Sequence, residues 1–202
     1  MNIKKVFLDG KKSALTKFKK ACSENKIDPG ILPLLNIINK SINYYTSSSC
    51  FGRIVLLEIP NIGDKKKAKF LGKWHRTIYV DELLSAVKKA QTGQLWFLSQ
   101  SPIIHIVART NDASDKLLKI AIASGFKNSG LKSFGKKIVV EICSTERLDT
   151  PIGKDGEIFC NNDHLSLLVD ISNEIIKKST FKLQKLEENL QKNLSNDKTT
   201  IK

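Results

Sequence analysis

Two strand-like segments follow one another with no helix between them, and this adjacency limits the available folds more than any other feature. Residues 51–60 read FGRIVLLEIP and residues 67–78 read KAKFLGKWHRTI, and the intervening NIGDKKK is typical of a loop. Successive parallel strands need a crossover connection, usually a helix. The sequence therefore argues against a purely doubly wound sheet. No GxGxxG motif follows a strand, so a Rossmann nucleotide site is not indicated.

Amphipathic segments surround these strands. Apolar residues recur at helical spacing over residues 7–26, 31–42 and 111–125, and again in a long closing segment from residue 163. Pro102 divides residues 93–110 into two strands, or marks a bulge or an edge strand. We therefore predict an α+β, non-Rossmann fold, with a mixed or largely antiparallel sheet flanked by helices. Strand and helix alternate in both halves, which suggests an internal duplication.

Length and hydropathy indicate one folded domain. The chain has 202 residues and is 41% hydrophobic, which is enough for a sizeable core. We predict a single domain over residues 1–190, followed by a polar, flexible tail over residues 191–202. Uncharged apolar stretches fall far short of the ~18 residues of a membrane span, and the charged first residues do not form a signal peptide. We expect a soluble cytoplasmic protein.

The charge balance points to a polyanionic partner. Lysine and arginine number 34 against 20 acidic residues, a formal net charge of +14. Such an excess favours nucleic acid, although a general lysine bias would produce the same count without any ligand. The four cysteines lack the spacing of a zinc site, so we predict no metal and interpret them as structural thiols.

Residues 46–54, TSSSCFGRI, contain the densest cluster of polar side chains beside an apolar run. Hydroxyls of Ser47 and Ser49 can bind phosphate or ribose oxygens. The planar fork of Arg53 matches a carboxylate or a phosphate, and Gly52 would let a ligand approach the backbone. The alternative is a serine-rich turn that simply precedes a buried strand.

Residues 73–76, KWHR, form a second cluster. Trp74 stands among the cationic or potentially cationic side chains of Lys73, His75 and Arg76, a combination that suits base stacking with backbone contact. The alternative is an exposed strand in which Trp74 packs on a helix.

A histidine and an arginine share the apolar segment SPIIHIVART. His105 and Arg109 are four residues apart, a spacing that in a strand places both side chains on one face. Such a pair needs an anion, a partner or water nearby. The alternative is a core histidine whose hydrogen bonds are satisfied.

The segment GFKNSGLK over residues 125–132 follows a helix and holds glycines around a small polar residue. Ser129 and Gly130 can form a backbone nest for an anion. The alternative is a helix stop followed by a hairpin turn.

In this order the motifs resemble one known family. YYTSSSCFGRI at 44–54, KWH at 73–75, SPIIHIVART at 101–110 and GFKNSG at 125–130 are similar to the wybutosine-synthesizing protein 3 family of archaeal type. RLDTPIG at 147–153 and the region of Asn173 fit as well, so the resemblance spans roughly residues 7–190. It implies a non-Rossmann, S-adenosylmethionine-dependent methyltransferase. The substrate it implies is a ring nitrogen of a 4-demethylwyosine-type guanosine at position 37, in the anticodon loop of phenylalanine tRNA.

The resemblance also implies roles for the residues above. The methyl donor would be bound by Ser47, Ser49, Gly52, Arg53, Ser129 and Gly130. The proton acceptor would be His75 or His105, since a neutral imidazole is available near pH 7. RNA would be bound by Lys73, Trp74, Arg76 and Arg109, together with lysines 65–69. We expect Ser47, Arg53 and His105 to converge on one cavity, and we interpret Cys50 as structural.

Two other functions fit the same sequence. A non-catalytic RNA-binding module would explain the charge and Trp74, but not the crowded serine segment. An enzyme acting on small anions would use the serine and arginine cluster without RNA. The sequence leaves the oligomeric state open.

Overall fold

The structure, a computed structural model, describes residues 3–64 and 66–194. Lys65 of the predicted basic surface and residues 195–202 of the predicted tail lie outside this range. The chain forms two compact units. The first contains the described parts of Met1–Phe51, Pro102–Thr145 and Thr180–Lys202, and the second contains those of Gly52–Ser101 and Glu146–Ser179. The single domain over 1–190 stays a prediction, as does the internal duplication.

Helices and strands alternate along the described part of the chain. The helices are α1 Ile3–Ser23, α2 Leu32–Lys40, α3 Val80–Val87, α4 Asn111–Ala123 and α5 Asn162–Leu194. The strands are β1 Tyr44–Cys50, β2 Arg53–Ile59, β3 Lys69–Trp74, β4 Gln94–Gln100, β5 Ile103–Ala108, β6 Gly130–Ser133, β7 Ile138–Cys143, β8 Arg147–Lys154 and β9 Glu157–Ile158.

The first unit is built on a four-stranded antiparallel sheet in the order β1-β5-β7-β6. Side chains alternate between its faces, so one face carries Ile104 and Ile106 into a core shared with α2, α4 and the last part of α5. The opposite face carries Tyr45, Val107 and Val139 against Phe7 and Ala14 of α1. Residues 180–194 of α5 contribute Leu183, Leu186 and Leu190 to the larger core.

The second unit is built on a five-stranded antiparallel sheet in the order β3-β2-β4-β8-β9. Ile54, Leu56 and Phe97 of its central strands are fully buried. They pack in one core with α3 and with residues 162–179 of α5.

The α+β, non-Rossmann class is confirmed, and the pairing is antiparallel throughout the described strands. The prediction of one sheet was wrong, because β4 and β5, on either side of Pro102, belong to different sheets. Residues 151–154 complete β8, and Glu157–Ile158 form the short β9. The predicted boundary at residue 190 lies inside α5, whose last residue, Leu194, is buried in the core. Among the described helices, none is both long and apolar enough to cross a membrane.

Candidate active site on the serine-rich strand

The serine-rich segment is a strand, so the prediction of a turn at residues 46–50 was wrong. β1 pairs with β5 along one side only, and its three serines are exposed. Such an edge position explains why polar residues are tolerated in a strand. The register shifts between Thr46 and Ser48, so Ser47 is an extra residue in a β-bulge. The turn itself falls two residues after the strand end, at Gly52, with a positive φ of 97°.

A row of hydrogen-bonded side chains crosses three adjacent strands of the first unit. Ser48 Oγ lies 2.8 Å from His105 Nδ1, and His105 Nε2 lies 2.8 Å from Glu141 Oε2. Each residue is the direct cross-strand neighbour of the next, so the three side chains share one face. The side chains of His105 and Glu141 are only 24% and 21% exposed. The row is therefore held rigidly yet remains accessible from solvent.

The partners of His105 assign its tautomer. An ionised carboxylate only accepts hydrogen bonds, so Nε2 carries the proton that is donated to Glu141. In the neutral imidazole Nδ1 then presents a lone pair, which accepts the hydrogen bond from the Ser48 hydroxyl. Lys132 Nζ, 3.4 Å from the same carboxylate oxygen, adds a positive charge beside it. The row has the chemistry of a general base with its orienting carboxylate.

A cavity of about 550 Å³ lies beside this row in the same unit. Ser47, Ser48 and Ser49 contribute to its wall, and its rim carries the exposed lysines Lys17 and Lys137. Helix α1 supplies the opposite wall through residues 10–21. The volume is in the range of small-molecule and cofactor sites.

Tyr45, which lines this cavity, carries a buried hydroxyl that the described residues do not satisfy. The residue is only 2% exposed, and the described residues offer its hydroxyl no hydrogen-bond partner. Burial raises the pKa of Tyr45, because desolvation disfavours the phenolate. Gly10 of α1 faces the hydroxyl, and a Cβ there would overlap it. A buried, unpaired donor lining a cavity is a feature that a ligand would satisfy.

Lys11 fixes one end of the strand beside the cavity. Its ammonium donates to the carbonyl of Ser41 and, at 2.9 Å, to that of Tyr44. Burial lowers the pKa of Lys11, because desolvation disfavours the ammonium. Ser41 follows the last residue of α2, so the lysine also satisfies a carbonyl at the carboxyl end of that helix.

Ser129 and Gly130 have structural partners in the first unit. Ser129 Oγ donates to the carbonyl of Phe126 at 2.8 Å and accepts from the amide of Cys143 at 3.2 Å. Gly130 pairs with Glu141, so it extends the row of Ser48, His105 and Glu141 by one strand. A Cβ at Gly130 would meet no atom within 4 Å. The contact of Ser129 and Gly130 with the methyl donor stays a prediction.

Gly52, Arg53 and His75 lie in the second unit. Arg53 Nε donates to Gln100 Oε1 at 2.8 Å, and its guanidinium carbon lies 5.5 Å from the centroid of Phe70. His75 Nδ1 lies 2.9 Å from the carbonyl oxygen of Gly52. The first unit brings Ser47 and His105 together, with Ser47 Oγ 3.3 Å from the His105 carbonyl. The convergence of Arg53 with these two residues stays a prediction.

The residues predicted to bind RNA occupy different settings. Lys73 is exposed on β3, while Trp74 is half-buried and packs on Gly72 and on the core of the second unit. Arg76 makes two hydrogen bonds to Glu82 at 3.0 and 2.6 Å, and this ion pair raises the pKa of the arginine. The spacing of four residues had suggested that Arg109 shares a strand face with His105. β5 ends at Ala108, however, so Arg109 lies outside the strand. The RNA contacts of all four residues stay predictions.

Sequence reasoning missed Glu141 and Tyr45. Glu141 is the one charged residue in β7, IVVEIC, and a lone carboxylate in an apolar strand is a signal for a buried partner. No sequence signal marks Tyr45, because the lack of a hydrogen-bond partner for its hydroxyl depends on the residues that pack around it. No group of three or more histidine, cysteine or acidic side chains that could hold a metal ion occurs within residues 3–64 and 66–194.

Comparison with known proteins identifies the family. The model of the family described as Methyltransferase TYW3 matches residues 9–192. A curated protein of Thermococcus kodakarensis, tRNA(Phe) 7-((3-amino-3-carboxypropyl)-4-demethylwyosine(37)-N(4))-methyltransferase 1, is 46% identical over 187 residues, covering 92% of this chain and 94% of the relative. The Methanocaldococcus jannaschii protein named as the same methyltransferase is 43% identical over 175 residues, covering 86% and 91%.

Solved structures agree with this assignment. The PH1069 protein of Pyrococcus horikoshii superimposes with a TM-score of 0.90 at 44% identity, covering 94% of this chain and 98% of that one. A hypothetical protein of Aeropyrum pernix superimposes with a TM-score of 0.71 at 28% identity, covering 82% and 98%. The chain therefore belongs to the Methyltransferase TYW3 family.

Proposed function

We propose that this chain is a cytoplasmic, S-adenosylmethionine-dependent methyltransferase that methylates N4 of a 4-demethylwyosine-type base at position 37 of tRNA(Phe), in the anticodon loop. Family membership and the names of relatives that align along nearly their whole length support this function. The net charge of +14 suits a tRNA substrate. The observation that carries the proposal is the hydrogen-bonded row of Ser48, His105 and Glu141 at the edge of a cavity.

The cavity of the first unit fits the methyl donor. It offers about 550 Å³, several hydroxyl groups and the unpaired Tyr45 hydroxyl as polar contacts for a ligand of this size. Lys17 and Lys137 at its rim provide positive charge for a carboxylate. When bound, S-adenosylmethionine supplies a methyl group on a positively charged sulfur. Ser47, Ser49 and Tyr45 would hold and orient it, and α1 would exclude water from one side.

The row of Ser48, His105 and Glu141 removes the proton that methylation displaces from the ring nitrogen. The Ser48 hydroxyl lies between the histidine and the cavity, so a proton passes through it to the lone pair on His105 Nδ1. Glu141 holds the ring in the required tautomer and stabilises the imidazolium as it forms. We retain the other predicted roles as proposals: Gly52, Arg53, Ser129 and Gly130 at the donor, His75 as the second candidate base, and Lys73, Trp74, Arg76 and Arg109 at the tRNA.

Radiolabelled methyl transfer to tRNA from a strain that lacks this gene, followed by nucleoside analysis, tests the function. We expect one methylated nucleoside with the wild type, and a rate lower by about 10²–10⁴-fold with His105→Gln, the usual size of general-base catalysis. His164→Gln is the matched control, since His164 is an exposed histidine on α5. Wild-type protein that binds tRNA but transfers no label would refute the enzymatic proposal.

A thermal shift with S-adenosylmethionine separates the enzyme from a non-catalytic RNA-binding module. A ligand that binds only the folded chain stabilises it by mass action, by about 2.7 kcal/mol at one hundred times the dissociation constant. We expect the melting temperature to rise with donor concentration. An RNA-binding module without a donor site would show no rise.

A further inference from the structure

One exposed hairpin of the first unit combines an aromatic residue with lysines. β6 and β7 are joined by residues 134–137, and β6 is the edge strand of its sheet. All side chains from Leu131 to Lys137 are exposed, and Phe134 at the tip is 69% exposed. Gly135 beside it has a φ of 142°, and a Cβ there would meet no atom within 4 Å. The tip therefore projects away from the core.

Core packing does not explain the composition of this hairpin. Phe134 belongs to neither hydrophobic cluster of the first unit, so its ring contributes no core packing. Lys132, Lys136 and Lys137 surround it, and residues 130–140 include no acidic residue. Lysines alone would protect an edge strand from pairing with another chain, but an exposed phenylalanine acts against such protection. The pair of features instead matches a surface that binds single-stranded nucleic acid.

The hairpin is connected directly to the candidate active site. Lys137 at its base lines the cavity beside the serine-rich strand. Lys132 Nζ lies 3.4 Å from the carboxylate of Glu141, which holds His105. A nucleic acid that reaches the catalytic row would therefore pass along this hairpin.

We propose that the β6–β7 hairpin binds unpaired RNA, with the ring of Phe134 stacking on a base and Lys136 beside it contacting a phosphate. This inference rests on the proposed function, because it assigns the nucleotides next to the target base to this surface. A base in a loop can be splayed out and stacked on an aromatic side chain, whereas a paired base cannot. Phe134 and Leu131 among three lysines offer little apolar surface for a protein or membrane partner, whereas the lysines complement a polyanion.

Binding of an anticodon stem-loop RNA and of a duplex with the same stem sequence tests the proposal. We expect Phe134→Ala to weaken stem-loop binding by about 5- to 150-fold, the range measured for one stacked base, and to leave duplex binding unchanged. Phe181→Ala is the matched control, because Phe181 is also exposed, at 67%, and lies on α5 of the same unit. Phe134→Trp should restore binding, whereas Phe134→Leu should not, since leucine keeps the apolar surface without the ring.

Salt dependence tests the lysines separately. Each lost phosphate contact reduces the slope of log affinity against log salt by about 0.7–0.9, so Lys136→Ala should lower the slope by that amount. Equal stem-loop binding by wild type and Phe134→Ala would overturn the stacking proposal. Equal loss on stem-loop and duplex would also overturn it. These measurements need no methyl transfer, so a failure of the hairpin is distinguishable from a failure of the enzymatic proposal, which would appear as inactive wild-type protein.

Discussion

Tyr44 and Tyr45 are adjacent buried tyrosines. Removing their hydroxyl groups should change the free energy of unfolding in opposite directions. Tyr44 is 1% exposed and its hydroxyl donates to the carbonyl of Ala113 at 2.8 Å. Tyr45 is 2% exposed, and its hydroxyl has no partner among the described residues. Tyr45→Phe therefore removes a buried polar group that the free protein leaves unsatisfied, while Tyr44→Phe breaks a hydrogen bond.

The magnitudes follow from these partners. A buried unsatisfied polar group costs about 1–3 kcal/mol, so Tyr45→Phe should raise the free energy of unfolding by up to that amount. For a chain of this size each kcal/mol changes the melting temperature by about 2–4 °C. Tyr44→Phe should lower the free energy of unfolding by about 0.5–1.5 kcal/mol. If Tyr45 donates to the methyl donor, Tyr45→Phe should also weaken donor binding by about 2- to 12-fold.

Chemical denaturation of both variants, with and without S-adenosylmethionine, measures these effects, and calorimetry gives the donor dissociation constant. We expect Tyr45→Phe to be more stable than wild type without the donor and to gain less from it. A Tyr45→Phe protein that is less stable than wild type would refute the reasoning about its hydroxyl. Unchanged donor affinity would remove Tyr45 from the donor site.

Three further predictions concern the base, the backbone and pH. Glu141→Gln should lower the single-turnover rate by about 10- to 150-fold, since it removes a charge-assisted hydrogen bond worth about 1.5–3 kcal/mol, whereas Glu174→Gln on α5 should not. Gly153→Ala should lower the free energy of unfolding by about 1–3 kcal/mol, because its Cβ would overlap the carbonyl oxygen of Glu157. Gly130→Ala, which has open space, should stay within about 0.5 kcal/mol of wild type in thermal denaturation. Burial raises the pKa of Tyr45 above its ordinary value of 10.0, so the unfolded chain loses this proton at lower pH than the folded one; as pH rises above 10, the free energy of unfolding should therefore fall more in wild type than in Tyr45→Phe, as measured by chemical denaturation.

Helices with a clear apolar period were predictable from the sequence. The helix predicted over residues 111–125 is α4, and its N-cap is Thr110, whose hydroxyl accepts a hydrogen bond from the amide of Ala113. The closing helix predicted from residue 163 is α5. Local spacing decides such elements, because their hydrogen bonds join residues four apart.

Strands depend on partners that local spacing does not reveal. β1 contains polar serines that resemble a turn, and pairing with β5, about 60 residues away, makes it a strand. β8 contains Pro151 and Gly153, and a register shift opposite Leu95 and Trp96 accommodates them. The row of Ser48, His105 and Glu141 was unpredictable for the same reason, since the sheet order alone brings these three residues together.

Because of the bulge at Ser47, β1 has one serine more than its pairing with β5 requires. Side chains along a strand alternate, so losing one residue normally turns every later side chain to the wrong face. Here the loss of Ser47 would instead regularise β1, because Ser48 already pairs with His105, Ser49 with Ile104 and Cys50 with Ile103. A chain without Ser47 would keep the hydrogen bond between Ser48 and His105. It would lose only the bulge that turns the Ser47 hydroxyl toward the cavity. The number of serines in β1 thus helps to determine the shape of the site, in addition to their chemical nature.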